Sequence, residues 1–259
     1  MHSTPRDWNG RSYDRIADFM EQLGREVLDR LQLAGDETVL DAGCGSGRVT
    51  EALIDRLPRG RVIGVDGSAD MIDVAAERLP AGTELLVQDL AELDLGPGRT
   101  VDAILSTATF HWIPDHARLF AALRRALRDG GQLVVQCGGA GNVAGPHAAS
   151  RAVGARDPYA PYLSGWAGPW NFSTPQDATD RLRAAGFTDV SATLVERPVQ
   201  PDEPLEYLST IVLGSHLERL PAELHESFVA DVAAELSAAS PDGRITIDYV
   251  RLNLDATAA

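Results

Sequence analysis

The sequence predicts an α/β protein organised around a largely parallel sheet, and three observations carry that expectation. Over the first two thirds of the 259 residues, short apolar runs alternate with amphipathic segments, the rhythm of strand and crossover helix. A glycine-rich stretch, Gly43-Cys44-Gly45-Ser46-Gly47, follows the first apolar run and opens the first amphipathic one. Near the end, Arg244 to Leu254 alternates residue by residue, as a strand does.

Taken in order, Thr38 to Asp41 reads as the first strand, and Val49, Leu53, Ile54 and Leu57 mark the helix after the glycine loop. Arg61 to Asp66 is the second strand, followed by a helix through Met71, Ile72, Val74, Ala75 and Leu79. Glu84 to Gln88 and Val101 to Ser106 are the third and fourth strands. A helix carrying Leu119, Phe120, Leu123 and Leu127 is expected to stop at Gly130-Gly131, with Gln132 to Cys137 as the fifth strand. The rhythm then breaks. Residues 138–175 are rich in glycine and proline and hold two of the four tryptophans, too aromatic for a linker, and read as a partly ordered flap beside a binding site. Beyond it come a helix from Pro175 to Ala185 capped by Gly186, a strand from Thr188 to Val195, helices between Tyr207 and Leu236 split at Pro221, and the last strand, with Ala256 to Ala259 frayed. The chain divides into N-terminal helices (1–34), a cofactor-binding core (35–137), the flap (138–175) and a helical lid insertion (198–243), all in one domain.

Composition removes several classes of chemistry. All 23 cationic residues are arginine, so Schiff-base catalysis and a lysine-bearing phosphate loop are excluded. The 38 acidic residues bring the net charge to −15, which argues against nucleic-acid partners and anionic membranes. No apolar run approaches a membrane span and the start lacks a signal-peptide pattern, so a cytoplasmic monomer or homodimer is expected. Cys44 and Cys137 stand far apart without metal-ligand spacing, the pattern of two buried thiols.

Strand, glycine loop and helix occur in the order that brings a ligand to backbone at a helix N-terminus. A dinucleotide fingerprint would need glycine where Arg48 stands. Asp41, two residues before the first glycine, would repel a pyrophosphate but attract the ammonium or sulfonium of an amino-acid-derived cofactor. Asp66 at the end of the second strand can accept both ribose hydroxyls of an adenosine, or cap the next helix. Met71 is placed to lie on an adenine face or in the core. Asp89 can take the adenine amino group or serve as a solvated turn residue.

On these segments, 39–47, 62–71, 88–90 and 102–131, the chain resembles the class I S-adenosylmethionine-dependent methyltransferases. Asp7-Trp8-Asn9 with Tyr13, the run from Phe110 to His116, and Tyr249-x-Arg251-Leu252 resemble the trans-aconitate methyltransferase group. The resemblance implies a Rossmann-like, seven-stranded, mostly parallel sheet whose last two strands are an antiparallel hairpin, covered by helical lid insertions. It implies S-adenosyl-L-methionine as cofactor, held by Asp41, Gly43, Cys44, Gly45, Asp66, Gly67, Met71, Asp89, Leu90 and Thr107, with no metal. His111 is the candidate catalytic residue, as a hydrogen-bond donor to the acceptor or as a general base. Tyr13, Trp112, His147, Trp166 and Trp170 are candidate acceptor contacts, and His116 is expected on the surface. Because Ser209 to Leu217 contains no arginine, a tricarboxylate acceptor would be buried without paired cations. The expected reaction is O-methylation of an apolar or aromatic small acid, held by one cation such as Arg11 or Arg251. Alternatives are a hydroxyl- or amine-directed enzyme using His111 as base, methylation of a carrier-linked acid, and a non-catalytic cofactor-binding protein.

Overall fold

The computed structural model describes residues 18–259. Asp7-Trp8-Asn9, Arg11, Tyr13 and most of the expected N-terminal helices lie outside them. Helix α1 (Asp18–Leu28) leads into β1 (Thr38–Ala42), α2 (Arg48–Asp55), β2 (Arg61–Asp66), α3 (Ala69–Arg78), β3 (Glu84–Val87), β4 (Val101–Thr107), α4 (His116–Ala126) and β5 (Leu127–Gly138). Then follow α5 (Ala144–Gly154), α6 (Ala160–Leu163), α7 (Pro175–Ala184), β6 (Phe187–Val199), α8 (Pro204–Tyr207), α9 (Gly214–Leu217), α10 (His225–Ala239) and β7 (Ile247–Ala258).

The seven strands lie in the order β3-β2-β1-β4-β5-β7-β6. The first five are parallel, and β7 runs antiparallel to both β5 and β6. Strand periodicity distributes side chains to two faces. Leu40, Ala42, Ile63, Val65 and Ile104 pack under α4 and α7, whereas Val39, Val62, Ala103 and Leu105 pack under α1 and α2 with Val27, Leu28 and Leu53. A separate apolar cluster around Phe228, Val232, Leu208 and Tyr249 fastens the helical insertion to α5 and β7. Capping fixes the helix starts: the Ser68 hydroxyl accepts from the Met71 amide, Asp115 from Arg118 and Thr174 from Asp177. The chain runs from β1 toward β2 and from β4 toward β5, to opposite sides of the β1–β4 pair, so a crevice opens above their carboxyl ends.

Four expectations need correction. Leu127 begins β5 rather than ending the helix, because it pairs with Val101 at the foot of β4. Gly130, at φ 74°, lies within an irregular part of that strand instead of capping a helix. Ala256 to Ala258 are not frayed: β7 is an interior strand here, and Ala256 and Ala258 are buried. The stretch expected as a partly ordered flap carries two helices, α5 and α6, since Ala149, Val153, Tyr159 and Leu163 supply a buried face to the insertion cluster.

Candidate active site

A cavity of about 780 Å³ opens above β1 and β4, of the size that takes a small-molecule ligand. Nine of the ten cofactor candidates line it: Gly43, Cys44, Gly45, Asp66, Gly67, Met71, Asp89, Leu90 and Thr107. So do His111, Trp112, His147, Trp166 and Trp170, whereas Tyr13 lies outside the described residues.

The cofactor end is made by the main chain. The amides of Gly43 and Cys44 both donate to the Val65 carbonyl, at 2.7 and 3.0 Å, and the Gly47 amide donates to the Cys44 carbonyl. The Gly45 amide donates to Asp66 Oδ2 at 2.9 Å, and Ser68 donates to Oδ1 at 2.9 Å. Four amides of the loop are therefore consumed within the protein, which leaves it a poor cradle for a pyrophosphate. At Gly43, φ is +84° and a Cβ would fall within 2.1 Å of Thr109 Oγ1; at Gly45, φ is +54° and a Cβ would meet nothing within 4 Å. The missing side chain at Gly45 leaves room for a ligand against the backbone.

Asp66 is held by those two amides and still faces the cavity, so its remaining lone pairs can take a diol. Burial raises its pKa, with the amide bonds opposing. Asp41 stands behind the loop and does not line the cavity: it is buried, accepts from Thr50 Oγ1 at 2.7 Å through Oδ2, and its Oδ1 has no partner among the described residues. Desolvation raises Asp41 to about 6, opposed by the Thr50 bond and reinforced by the charge of Asp66. An orphaned carboxylate oxygen behind a glycine loop suits a ligand cation. Asp89 accepts from the Ala91 amide at 2.9 Å, capping a short turn, and lines the cavity as well. Met71 is buried and lines the cavity, so core and ligand roles coincide.

The acceptor end is made by rings. Trp112, Trp166 and Phe172 have ring centres 6.0, 5.8 and 6.3 Å from Trp170, which also lies 4.2 Å from His147. His111 stacks on Phe172 at 5.7 Å. His111 Nδ1 accepts from the Gly138 amide at 3.2 Å, which leaves the proton of the neutral ring on Nε2. Burial, the Arg251 charge and His116 lower His111 to about 3. Burial and then the Arg151 charge lower His147 to about 4. Ala108 and Val143 line the same cavity at φ 55° and 48°, and for a β-branched residue that conformation is strained. Val143 is held there because its amide donates to the Asp248 carbonyl while the Asn142 side chain takes the Val250 amide.

His116 is buried, not on the surface: its ring bonds the Phe110 carbonyl at 2.9 Å and the Ser173 hydroxyl at 3.1 Å, tying the aromatic loop to the segment before α7. Sequence reasoning missed Phe172, Asn142, Ile211 and Arg219. Of these Arg219 had a readable signal, since it lies two residues beyond the arginine-free stretch. It lines the cavity with its guanidinium 5.1 Å from the Trp166 ring centre. Arg251 is buried at the cavity wall, 4.6 Å from the Tyr249 ring centre.

A family model described as a methyltransferase domain matches residues 39–131. Over 95% of this chain and 96% of the relative, the sequence is 32% identical to trans-aconitate 2-methyltransferase of Variovorax paradoxus (strain S110). Over 96% and 97% it is 33% identical to the enzyme of that name from Methylobacterium nodulans. The chain belongs to the trans-aconitate methyltransferase family. It is thus an S-adenosylmethionine-dependent methyltransferase, and the consumed amides, the open backbone at Gly45 and the orphaned Asp41 oxygen suit that cofactor.

The methyltransferase fold is shared with Haemonchus contortus phosphoethanolamine N-methyltransferase 2, solved with S-adenosyl-L-methionine. That match has a TM-score of 0.61 at 19% identity, covering 96% of this chain and 56% of that one. Geranyl diphosphate C-methyltransferase from Streptomyces coelicolor A3(2) gives a TM-score of 0.55 at 20% identity, covering 96% and 82%. Among the described residues no helix is long and apolar enough to cross a membrane.

Proposed function

We propose that this methyltransferase esterifies the carboxylate of a small apolar or aromatic acid, and the observation that carries the reading is the hydrogen bond from the Gly138 amide to His111 Nδ1. Bound S-adenosylmethionine supplies a methyl group on a sulfonium whose positive charge is lost as the methyl leaves. Asp66 and Asp89 would hold the adenosine, and the charge of Asp41 behind the loop would favour the amino-acid cation. With Nδ1 occupied, His111 offers an Nε2 hydrogen as a donor and no lone pair for a substrate proton. A pKa near 3 makes it a weak base besides, and His147 near 4 is little better. A phenol or ammonium acceptor would have to lose a proton that these groups are poorly suited to take. A carboxylate arrives already ionised at neutral pH. His111 would orient one carboxylate oxygen, Arg251 would offset the charge, and Trp112, Trp166, Trp170 and Phe172 would enclose an apolar body and exclude water.

Two observations favour a second reading, an acid carrying a further carboxylate. Arg219 lines the cavity, and relatives are named for trans-aconitate.

Release of S-adenosylhomocysteine is to be measured with phenylacetate, benzoate, trans-aconitate, phenol and tyramine. Turnover of phenylacetate or benzoate, with a flat pH profile between pH 6 and 8 for wild type and His111→Gln alike, is the expected result (about neutral pH, where a group near 3 does not titrate). Turnover confined to phenol or tyramine, rising with pH, would remove the carboxylate reading. Preference for trans-aconitate, lost in Arg219→Gln, would favour the second reading.

A further inference from the structure

The helical insertion is tied to the cavity wall by a buried pair of phenols. Tyr207 ends α8 at the start of the insertion, and its hydroxyl lies 2.8 Å from that of Tyr249 on β7. Both tyrosines are buried, and Tyr249 and Arg251 line the cavity while Tyr207 stands behind it. Tyr249 and Arg251 alternate to the same face of β7, which places the guanidinium over the phenol ring at 4.6 Å. A cation over an aromatic face is held within a narrow range of positions. The ring beneath it is held in turn by the buried hydroxyl bond to Tyr207. Immediately after Tyr207 the chain makes a π-helical turn, Leu208–Val212, closed by the Leu213 amide on the Leu208 carbonyl at 2.7 Å. That turn sends Ile211 and Val212 to the cavity.

We infer that Tyr207 is a positioning residue for acceptor recognition: through Tyr249 it sets the place of the Arg251 guanidinium, so that seating of the insertion and binding of the acceptor's carboxylate are coupled. The inference rests on Arg251 holding that carboxylate. Tyr207 touches neither ligand in this scheme. Its loss is felt by a charged acceptor and not by a neutral one of the same shape, nor by the cofactor at the other end of the cavity.

The test is calorimetric, on the full chain loaded with S-adenosylhomocysteine, using phenylacetate and its neutral isostere phenylacetamide as probes. Wild type is expected to prefer phenylacetate, and Arg251→Gln to lose about tenfold or more of that preference. Tyr207→Phe, which keeps the ring and its packing, is expected to weaken phenylacetate about three- to tenfold while phenylacetamide and S-adenosylhomocysteine bind within about twofold of wild type. Tyr249→Phe removes the same bond from the other side and is expected to match it. The double variant is then no worse than either single one. Equal losses for both probes, a parallel loss of S-adenosylhomocysteine, no loss at all, or additive losses in the double variant would each overturn the coupling while leaving the carboxylate reading intact. An Arg251→Gln variant that keeps the preference, or a wild type with no preference or no binding of either probe, removes the carboxylate reading and the inference with it. Thermal unfolding of each variant separates these outcomes from a loss of fold: should Tyr207→Phe fail to fold, Tyr249→Phe alone decides.

Discussion

At one end of the cavity, the Gly43 amide is fixed on the Val65 carbonyl, and the Asp66 carboxylate is held by the amides of Gly45 and Ser68, all at the ends of neighbouring parallel strands. At the other end, Trp112, His147, Trp166, Trp170 and Phe172 come from separate turns and helices and meet through ring faces. The first kind of construction tolerates little change of residue, because a backbone turn with positive φ admits few side chains. The second tolerates exchange, because ring contacts of about 0.5–1.5 kcal/mol each can be remade with other apolar groups. A fold that keeps one cofactor and changes its acceptor would vary the second end.

The largest effect is expected where the first end is broken directly. Gly43→Val puts a branched carbon onto Thr109 at a φ of +84°. We expect a loss of about 2–4 kcal/mol of stability and no S-adenosylhomocysteine binding by calorimetry; a variant that binds with wild-type affinity would mean that the loop is more compliant than its bonds suggest. A smaller effect is expected from pH. Asp41 is raised from 3.8 to about 6, so the folded chain holds an extra proton between those values and this group's contribution to stability declines as pH rises through that window. A bound ammonium draws the value down again. Affinity for S-adenosylhomocysteine should therefore climb by up to about tenfold per pH unit below 6 and level off above it, a slope that Asp41→Asn should abolish. The smallest effect belongs to the second end: Trp170→Ala should raise the acceptor KM about three- to tenfold with cofactor affinity unchanged, and a matching fall in cofactor affinity would show that the two ends are not separable.

The same contrast explains what could be read from sequence. The cofactor end is local: strand, glycines and the aspartate at the end of β2 are close in the chain, and both φ requirements and charge leave a mark in residue type. The acceptor end is assembled over long separations, and a tryptophan in a loop carries no sign of its neighbours. Phe172 reaches the cavity because the Asn171 amide bonds the His111 carbonyl, a contact without a motif. His116 reads as a surface residue for a related reason, since the first turn of a helix is usually wet, whereas contacts with Ser173, Phe110 and Phe120 bury it. Asp41 reads from sequence as a cofactor contact, and its carboxylate stands behind the cavity wall, bonded to Thr50.

Strand β7 lies between β5 and β6, and among the described residues β6 pairs with no other strand. During synthesis β1 to β5 are complete before β6 emerges, and β6 then lacks its partner β7 until about fifty more residues are made (at roughly 5–20 residues per second). The strand that delivers Tyr249 and Arg251 is thus also the one that joins β6 to the sheet, so the acceptor end is not complete before β6 is seated.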